Sequence, residues 1–222
     1  MSAISGRVPE PTVSRLSLYL RCLRQLAREG VRTISSAQME ARLGITSAQI
    51  RKDLSHFGEF GRPGIGYDVQ HLLGRLTEVM QLDREQRAVI VGAGNLGAAL
   101  VGYLGFAESP FRIVGIFDNN FGKIGRMLWT LQIQDVHLLP EINQDLRATI
   151  GMITVPGPGA QEVADFLVKS GVRAILNFAP AMIVLPPSVA LRNVDLTREL
   201  EILSYWARQL TGLPDPASPP AE

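Results

Sequence analysis

The 222-residue chain is 46% hydrophobic and 19% charged, so it can bury a full core as one large domain or two modest ones and does not read as disordered or fibrous. It contains no apolar run approaching the roughly 18 residues of a membrane helix, and Met1 to Pro11 lacks the charged-then-apolar order of a signal peptide; a cytoplasmic location without membrane attachment is expected. With one cysteine, Cys22, an internal disulfide is excluded, and its neighbours Leu18, Leu23 and Leu26 read it as a small buried apolar residue.

The net charge of +1 hides a division along the chain. Residues 1–82 carry eleven Arg and Lys against seven Asp and Glu, a balance of +4, whereas residues 83–222 carry eleven against fourteen, a balance of −3. The front part suits an anionic partner and is equally compatible with a merely solvated surface.

From Thr12 to Glu29 the positions Leu16, Tyr19, Leu20, Leu23, Leu26 and Ala27 recur at three- and four-residue steps and Gly30 ends the pattern, which predicts a first helix. Ser35 with Gln38 predicts a capping box at the start of a short second helix running to Leu43 and Gly44. Thr46 with Gln49 repeats that cap for a third helix reaching about Phe57, with Ile50, Leu54 and Phe57 on one face and Ser47, Arg51, Lys52 and Ser55 on the other. Two short helices joined at Gly44-Ile45, the second with a basic, hydroxyl-bearing outer face, have the layout of a helix-turn-helix reader; a plain helical pair with a solvated face fits equally when taken alone. Gly58, Gly61, Gly64 and Gly66 then punctuate a segment with Phe60, Arg62 and Tyr67 that suits the hairpin of a winged helix. Asp68 caps a fourth helix with Val69, Leu72, Leu73, Leu76 and Val79 inward. The expected DNA-binding domain is residues 1–82, with Ser47, Gln49, Arg51, Lys52, Ser55, His56 and Arg62 as its candidate contacts.

The run Ala88-Val89-Ile90-Val91 leads into Gly92-Ala93-Gly94-Asn95-Leu96-Gly97 and then the helical stretch Ala98 to Val101, and a second apolar strand, Arg112 to Phe117, ends in Asp118. A lone G-x-G-x-x-G is a weak signal, but strand, turn, helix, strand and acid in this order form a dinucleotide-binding fingerprint. Gly92 permits the tight turn, Gly94 lets backbone approach a pyrophosphate, and Gly97 lets helix and strand pack closely. Asp118 would accept hydrogen bonds from the adenosine ribose and repel a 2′-phosphate, favouring NADH and NAD+ over their phosphorylated forms; Lys123 is near enough in sequence to soften that repulsion but is read in preference as a solvated lysine. Strand, helix, strand and short strand follow at Thr149 to Val155, Gln161 to Lys169, Arg173 to Phe178 and Leu191 to Leu196, which predicts an α/β, Rossmann-type doubly wound parallel sheet over residues 83–196. The loops Val155-Pro156-Gly157-Pro158-Gly159 and Asn177-Phe178-Ala179-Pro180 fall at the carboxyl edge, where they would line a nicotinamide pocket or merely make turns.

A last helix over residues 197–211 carries Leu200, Ile202, Leu203, Tyr205, Trp206 and Leu210, a wide apolar surface that a partner subunit would cover; the Pro-rich tail, 212–222, is expected to be disordered. His56, His71 and His137 sit where structural or surface roles suffice, and no Cys/His cluster has metal-ligand spacing, so neither a catalytic residue nor a metal is expected. A dinucleotide fold with little chain to spare favours a sensor; the alternatives are a small NAD-dependent oxidoreductase with a helical accessory domain, or a repressor that binds another nucleotide such as coenzyme A.

Together these motifs resemble the Rex family of redox-sensing transcriptional repressors from about Pro9 to Leu210. The marks are Ser14-Arg15-Leu16 with Tyr19-Leu20-Arg21, the run Gln49 to Gly58, Gly64-Ile65-Gly66-Tyr67, the Gly92 to Gly97 turn, Gly105-Phe106, Phe117-Asp118, Val155-Pro156 and Ile175 to Pro180. The resemblance implies a homodimer that binds an inverted-repeat operator in double-stranded DNA and leaves it when NADH binds. It also implies that Arg21 approaches Asp195 and Tyr103 in one redox state, and that the last helix is swapped onto the partner. Two departures are visible: Arg62-Pro63 replaces a frequent basic pair in the wing, and Asn119-Asn120 follow Asp118 where many relatives carry a further acid.

Overall fold

The first helix starts two residues before the expected Thr12: α1 (Glu10–Arg28) holds Pro11 in its first turn, where a missing N–H leaves no bond unmade. The computed structural model describes residues 8–62, 64–106 and 109–211, and it divides into two units, Met1–Arg84 and Glu85–Glu222. Pro63, the Arg62 side chain and the tail read as disordered lie outside the described residues.

In the first unit β1 (Thr33–Ile34), α2 (Ser36–Leu43), α3 (Ser47–Ser55), β2 (Gly61–Arg62), β3 (Gly66–Asp68) and α4 (Val69–Val79) follow α1. The three strands form an antiparallel sheet in the order β1-β3-β2, the wing of a winged helix. β1 was not anticipated, since two residues are too short for any periodicity. Leu16, Leu20, Leu23 and Leu26 of α1 pack with Met39, Ile50, Leu54, Leu72 and Leu76 from the other three helices. The Ser35/Gln38 capping box is present in both directions, at 3.1 and 2.8 Å, and Asp68 accepts the His71 N–H at 2.8 Å. The second box is only half made. Thr46 Oγ1 accepts the Gln49 N–H at 3.3 Å, but the Gln49 side chain donates to Asp53 at 2.8 Å instead of turning back to Thr46.

Asp53 explains that choice. Its carboxylate is fully buried under α1, where Oδ1 accepts from Thr12 Oγ1 (3.0 Å), Arg15 Nη2 (2.8 Å) and Gln49 Nε2 (2.8 Å), and Oδ2 from Arg15 Nε (2.5 Å) and Tyr19 OH (2.7 Å). Burial alone would raise the carboxyl's pKa, but the bonds from Arg15, Tyr19, Gln49 and Thr12 outweigh it and hold the group below the usual carboxylate range. An amide beside this acceptor is worth more as a donor there than at an exposed helix end.

The second unit contains β4 (Gln86–Val91), α5 (Asn95–Val101), β5 (Phe111–Asp118), β6 (Met127–Leu128), β7 (Leu131–Asp135), α6 (Leu139–Leu146), β8 (Ile150–Ile153), α7 (Ala160–Lys169), β9 (Ala174–Asn177), β10 (Ala190–Asn193) and α8 (Leu196–Thr211). Its sheet runs β10-β9-β8-β4-β5-β7-β6, and every pair is parallel except the β6–β7 hairpin. Counting only the parallel strands in chain order, this is the dinucleotide-binding order, whose crevice opens between β4 and β8. Both sheet faces are covered, one by the cluster around Val89, Val91, Phe117, Ile153 and Leu167, the other by that around Ala88, Ile90, Ile116 and Met152.

Two sequence expectations need correction. The segment between Asp118 and Thr149, left without elements, holds β6, β7 and α6, although Leu131-Gln132-Ile133-Gln134 alternates as a strand should. The last strand is Ala190–Asn193, not Leu191 to Leu196, because Asp195 caps α8 by accepting the Arg198 N–H at 3.1 Å. No described side chain of α8 is buried, and Leu200, Leu203, Tyr205 and Trp206 are all more than half exposed.

Replacing Asp53 by Ala leaves Arg15 and three further donors facing an apolar gap, and is expected to lower the stability of the first unit by about 3–5 kcal/mol. Amide hydrogen exchange of α1 and α3 measures it. Because the folded carboxyl titrates below its unfolded value near 3.9, the stabilisation is complete above that pH and fades as pH falls through the folded value. The gap between parent and variant should therefore narrow in acid.

Candidate functional site

The turn after β4 is shaped by steric necessity at two glycines. Gly92 has φ of +113°, and a Cβ there would lie 2.7 Å from the Thr154 carbonyl; a Cβ on Gly97 would collide with the Gly92 carbonyl oxygen. Nothing lies within 4 Å of a Cβ placed on Gly94, so its face is open toward the crevice. Gly94 is the N-cap of α5 and makes no side-chain cap bond, which leaves the helix's first N–H groups available to an anion. A cavity of about 660 Å³ spans this crevice, lined by Gly92, Gly94, Asp118, Thr154, Val155 and Pro156 on one side and Val136, His137, Val163 and Phe166 on the other.

Asp118 ends β5 at the edge of this cavity and is buried. Oδ2 accepts from the Ala93 N–H and from Lys123 Nζ, both at 2.8 Å, and Oδ1 accepts from the Asn120 N–H at 2.9 Å. Lys123 is thus an ion-pair partner and not the solvated lysine expected; the turn through Asn120 and Gly122 folds it back onto the acid. Burial would push the Asp118 carboxyl up, but the Lys123 bond and the two N–H groups hold it below its ordinary range, so it stays an acceptor. Oδ1, with one donor, retains room for a ribose hydroxyl.

Of the other candidate cofactor residues, Val155 and Pro156 line the cavity, while Ala93, Asn95, Leu96 and Gly97 build the turn beneath it. Asn177 is buried: it donates to the Ala179 carbonyl at 3.0 Å and Asn193 Oδ1 at 2.9 Å, and accepts the Ala179 N–H at 2.9 Å. It shapes the loop that follows β9. That loop, with half-buried Phe178 and buried Ala179, lies beside the β8 loop, since a Cβ on Gly157 would meet the Pro180 carbonyl at 3.2 Å. Sequence reasoning missed Thr154, whose Oγ1 is 3.0 and 2.8 Å from the Val91 and Gly92 carbonyls, and the pair His137–Phe166, with ring centroids 5.3 Å apart. His137 Nδ1 lies 2.7 Å from Asp135 Oδ1. The β7 alternation would have placed His137 at the carboxyl edge.

On the first unit, Arg51, Lys52, Ser55 and His56 are exposed along α3, and Arg51 Nη1 donates to Ser36 Oγ at 3.0 Å. Ser47 and Gln49 are half-buried and engaged inside the unit, Ser47 with Glu40 and Gln49 with Asp53. A second cavity of about 650 Å³ lies between α3 and the wing, lined among others by Ser36, Arg51, Ser55, Phe60 and Tyr67. Arg21 is exposed on α1, Tyr103 is exposed and edge-on to Phe106 at 5.1 Å, and Asp195 caps α8. Among the described residues no group of His, Cys, Asp or Glu could hold a metal ion, and no helix is long and apolar enough to cross a membrane.

Residues 7–55 match the family model described as "Putative DNA-binding protein N-terminus", and residues 83–181 the one described as "CoA binding domain". The chain is 47% identical over 203 residues to the redox-sensing transcriptional repressor Rex of Carboxydothermus hydrogenoformans, covering 91% of this chain and 98% of the relative. It is 42% identical over 219 residues to the Rex protein of Streptomyces coelicolor, covering 97% and 85%. Among solved structures it matches RSP, a Rex-family repressor, in a complex with β-NAD+ and operator DNA (TM-score 0.86, 35% identity, 95% of this chain and 100% of that one) and in a complex with β-NADH (0.82, 35%, 93% and 97%). With close to half its residues identical to those of proteins that it matches over nine-tenths of its length, this chain belongs to the Rex family of redox-sensing transcriptional repressors.

Proposed function

We propose that this repressor is a cytoplasmic homodimer that binds an inverted-repeat operator while NADH is low and leaves it when NADH fills the crevice between β4 and β8. The observation that carries this is one chain holding both an exposed basic α3 beside a wing and a β4–turn–α5 cradle with an acid at the end of β5. The dehydrogenase alternative falls, since the family is one of repressors. RSP in complex with β-NAD+ and with β-NADH supports a nicotinamide dinucleotide over coenzyme A. Within the cavity the ribose hydroxyls face Asp118 Oδ1, the pyrophosphate faces Gly94 and the start of α5, and the adenine lies against Val136, His137 and Phe166. The nicotinamide lies toward Val155, Pro156 and the Phe178-Ala179 loop. The exposed α8 packs on the partner subunit. A DNA-binding assay on the promoter upstream of its own gene, with NAD+ and NADH titrated separately, tests the whole reading; operator binding untouched by NADH would overturn it.

The switch has an energy requirement. Moving operator-competent dimers from about 99% to about 1% takes roughly 5.5 kcal/mol of differential binding, about half per site in a dimer. The oxidised and reduced rings differ in charge and hydride content, so the pocket must favour the uncharged ring in one arrangement of the subunits. In the operator-bound arrangement Arg21 pairs with Asp195.

Asp118→Ala is expected to weaken NADH binding about 10- to 100-fold, the worth of one hydrogen bond to a charged group, and to narrow the preference against NADPH, since Lys123 is then left without its acid. Calorimetry with both dinucleotides reads this, and unchanged affinities refute the ribose assignment.

Ala at Arg51 and at Lys52 should separate base from phosphate contacts. A base contact costs about 1–3 kcal/mol on operator alone, whereas a phosphate contact weakens operator and random duplex alike and lowers the salt slope by roughly one. No loss on either DNA rejects both assignments.

Asp195→Asn keeps an N-cap acceptor for α8 but removes the charge. It should lose operator affinity without NADH while binding NADH as the parent does. Parent-like operator binding and response would remove Arg21–Asp195 from the mechanism.

A further inference from the structure

Asp53 follows directly after Arg51 and Lys52 on α3, yet it points the other way, into α1. Every donor to it from outside α3 is on α1: Thr12, both Arg15 nitrogens and Tyr19. Leu16 and Leu20 of α1 and Ile50 and Leu54 of α3 already lie in one buried apolar cluster with residues of α2 and α4, so the unit needs no charge to cohere. A buried ion pair is also commonly matched or exceeded in stability by apolar residues of equal volume. What four directional bonds between the helices add is one permitted orientation.

We propose that Asp53 is a positioning residue for operator recognition: by fixing the rotation of α3 on α1 it sets base-reading specificity, and not general affinity for DNA. This rests on the repressor reading above. The magnitudes separate the two effects. A helix with its side chains is about 10–12 Å across, so a ~20° rotation displaces the tips of Arg51 and Lys52 by roughly 2 Å. Base-edge hydrogen bonds between about 2.7 and 3.2 Å do not survive such a shift. The attraction of a cation to a phosphate, falling only inversely with distance, largely does.

Two variants test this in the full-length protein: Asp53→Asn, and the paired Asp53→Leu with Arg15→Met, which replaces the ionic contact by apolar bulk. Operator and random duplex are titrated over a salt series, with NADH calorimetry and hydrogen exchange of α1 and α3 alongside. The paired variant is expected to fold, to keep parental NADH affinity, salt slope and random-duplex affinity, and to lose about five- to a hundred-fold of its operator-over-random ratio, the range of one base-reading pair. Asp53→Asn should fall the same way if it folds; if it does not, the paired variant decides. A folded paired variant with the parental ratio overturns the proposal, as does a paired variant whose α1 and α3 are unprotected, since Asp53 is then a stability element alone. A parent with no preference for operator refutes the repressor reading instead.

Discussion

β4 is the strand through which the dinucleotide unit is organised, because it is hydrogen-bonded in parallel to β5 on one side and β8 on the other. The registers Val91↔Phe117 and Val91↔Ile153 bring three chain segments to one level, so that Gly92, Asp118 and Thr154 leave the sheet together. The Gly92 N–H reaches the Phe117 carbonyl at 2.7 Å and the Thr154 N–H the Val91 carbonyl at 2.9 Å, which continues the pairing one step beyond the sheet. The crevice is a consequence: helices on opposite faces diverge where the strand order reverses, and the space between is floored by backbone.

Two buried carboxylates divide the labour of the molecule. Asp53 meets five donors and is closed to anything else, so its charge orients two helices. Asp118 meets three, at the edge of a cavity, so its charge remains available. Both are held ionised against the cost of burial, and they differ in the number of lone pairs still open.

The helices, caps and dinucleotide fingerprint were legible because each rests on local chemistry: a 3.6-residue stripe in α1, Ser35 with Gln38, glycines between β4 and α5. Side-chain destinations were not. Gln49 had the spacing of a capping box and a place on the reading helix, yet its amide is spent on Asp53, whose burial depends on α1, more than thirty residues away in sequence. Lys123 follows Asp118 by five positions, and only the turn through Asn120 and Gly122 makes that separation a contact. β1, two residues long, exists because β3 is there to receive it. Pairwise and long-range choices of this kind leave no period in a sequence.

α8 presents its apolar and polar sides alike to solvent within a single chain. Isolated helices of about 15 residues are marginal in water, so intrinsic propensity does little to keep this one ordered. In the proposed homodimer its order would be a collective property, governed by mass action. Dilution then erodes helix content at the carboxyl end before it touches either core, and the thermal midpoint of that segment climbs with protein concentration. On that proposal, a repressor present in few copies would be assembled, in part, by an operator that binds two subunits at once.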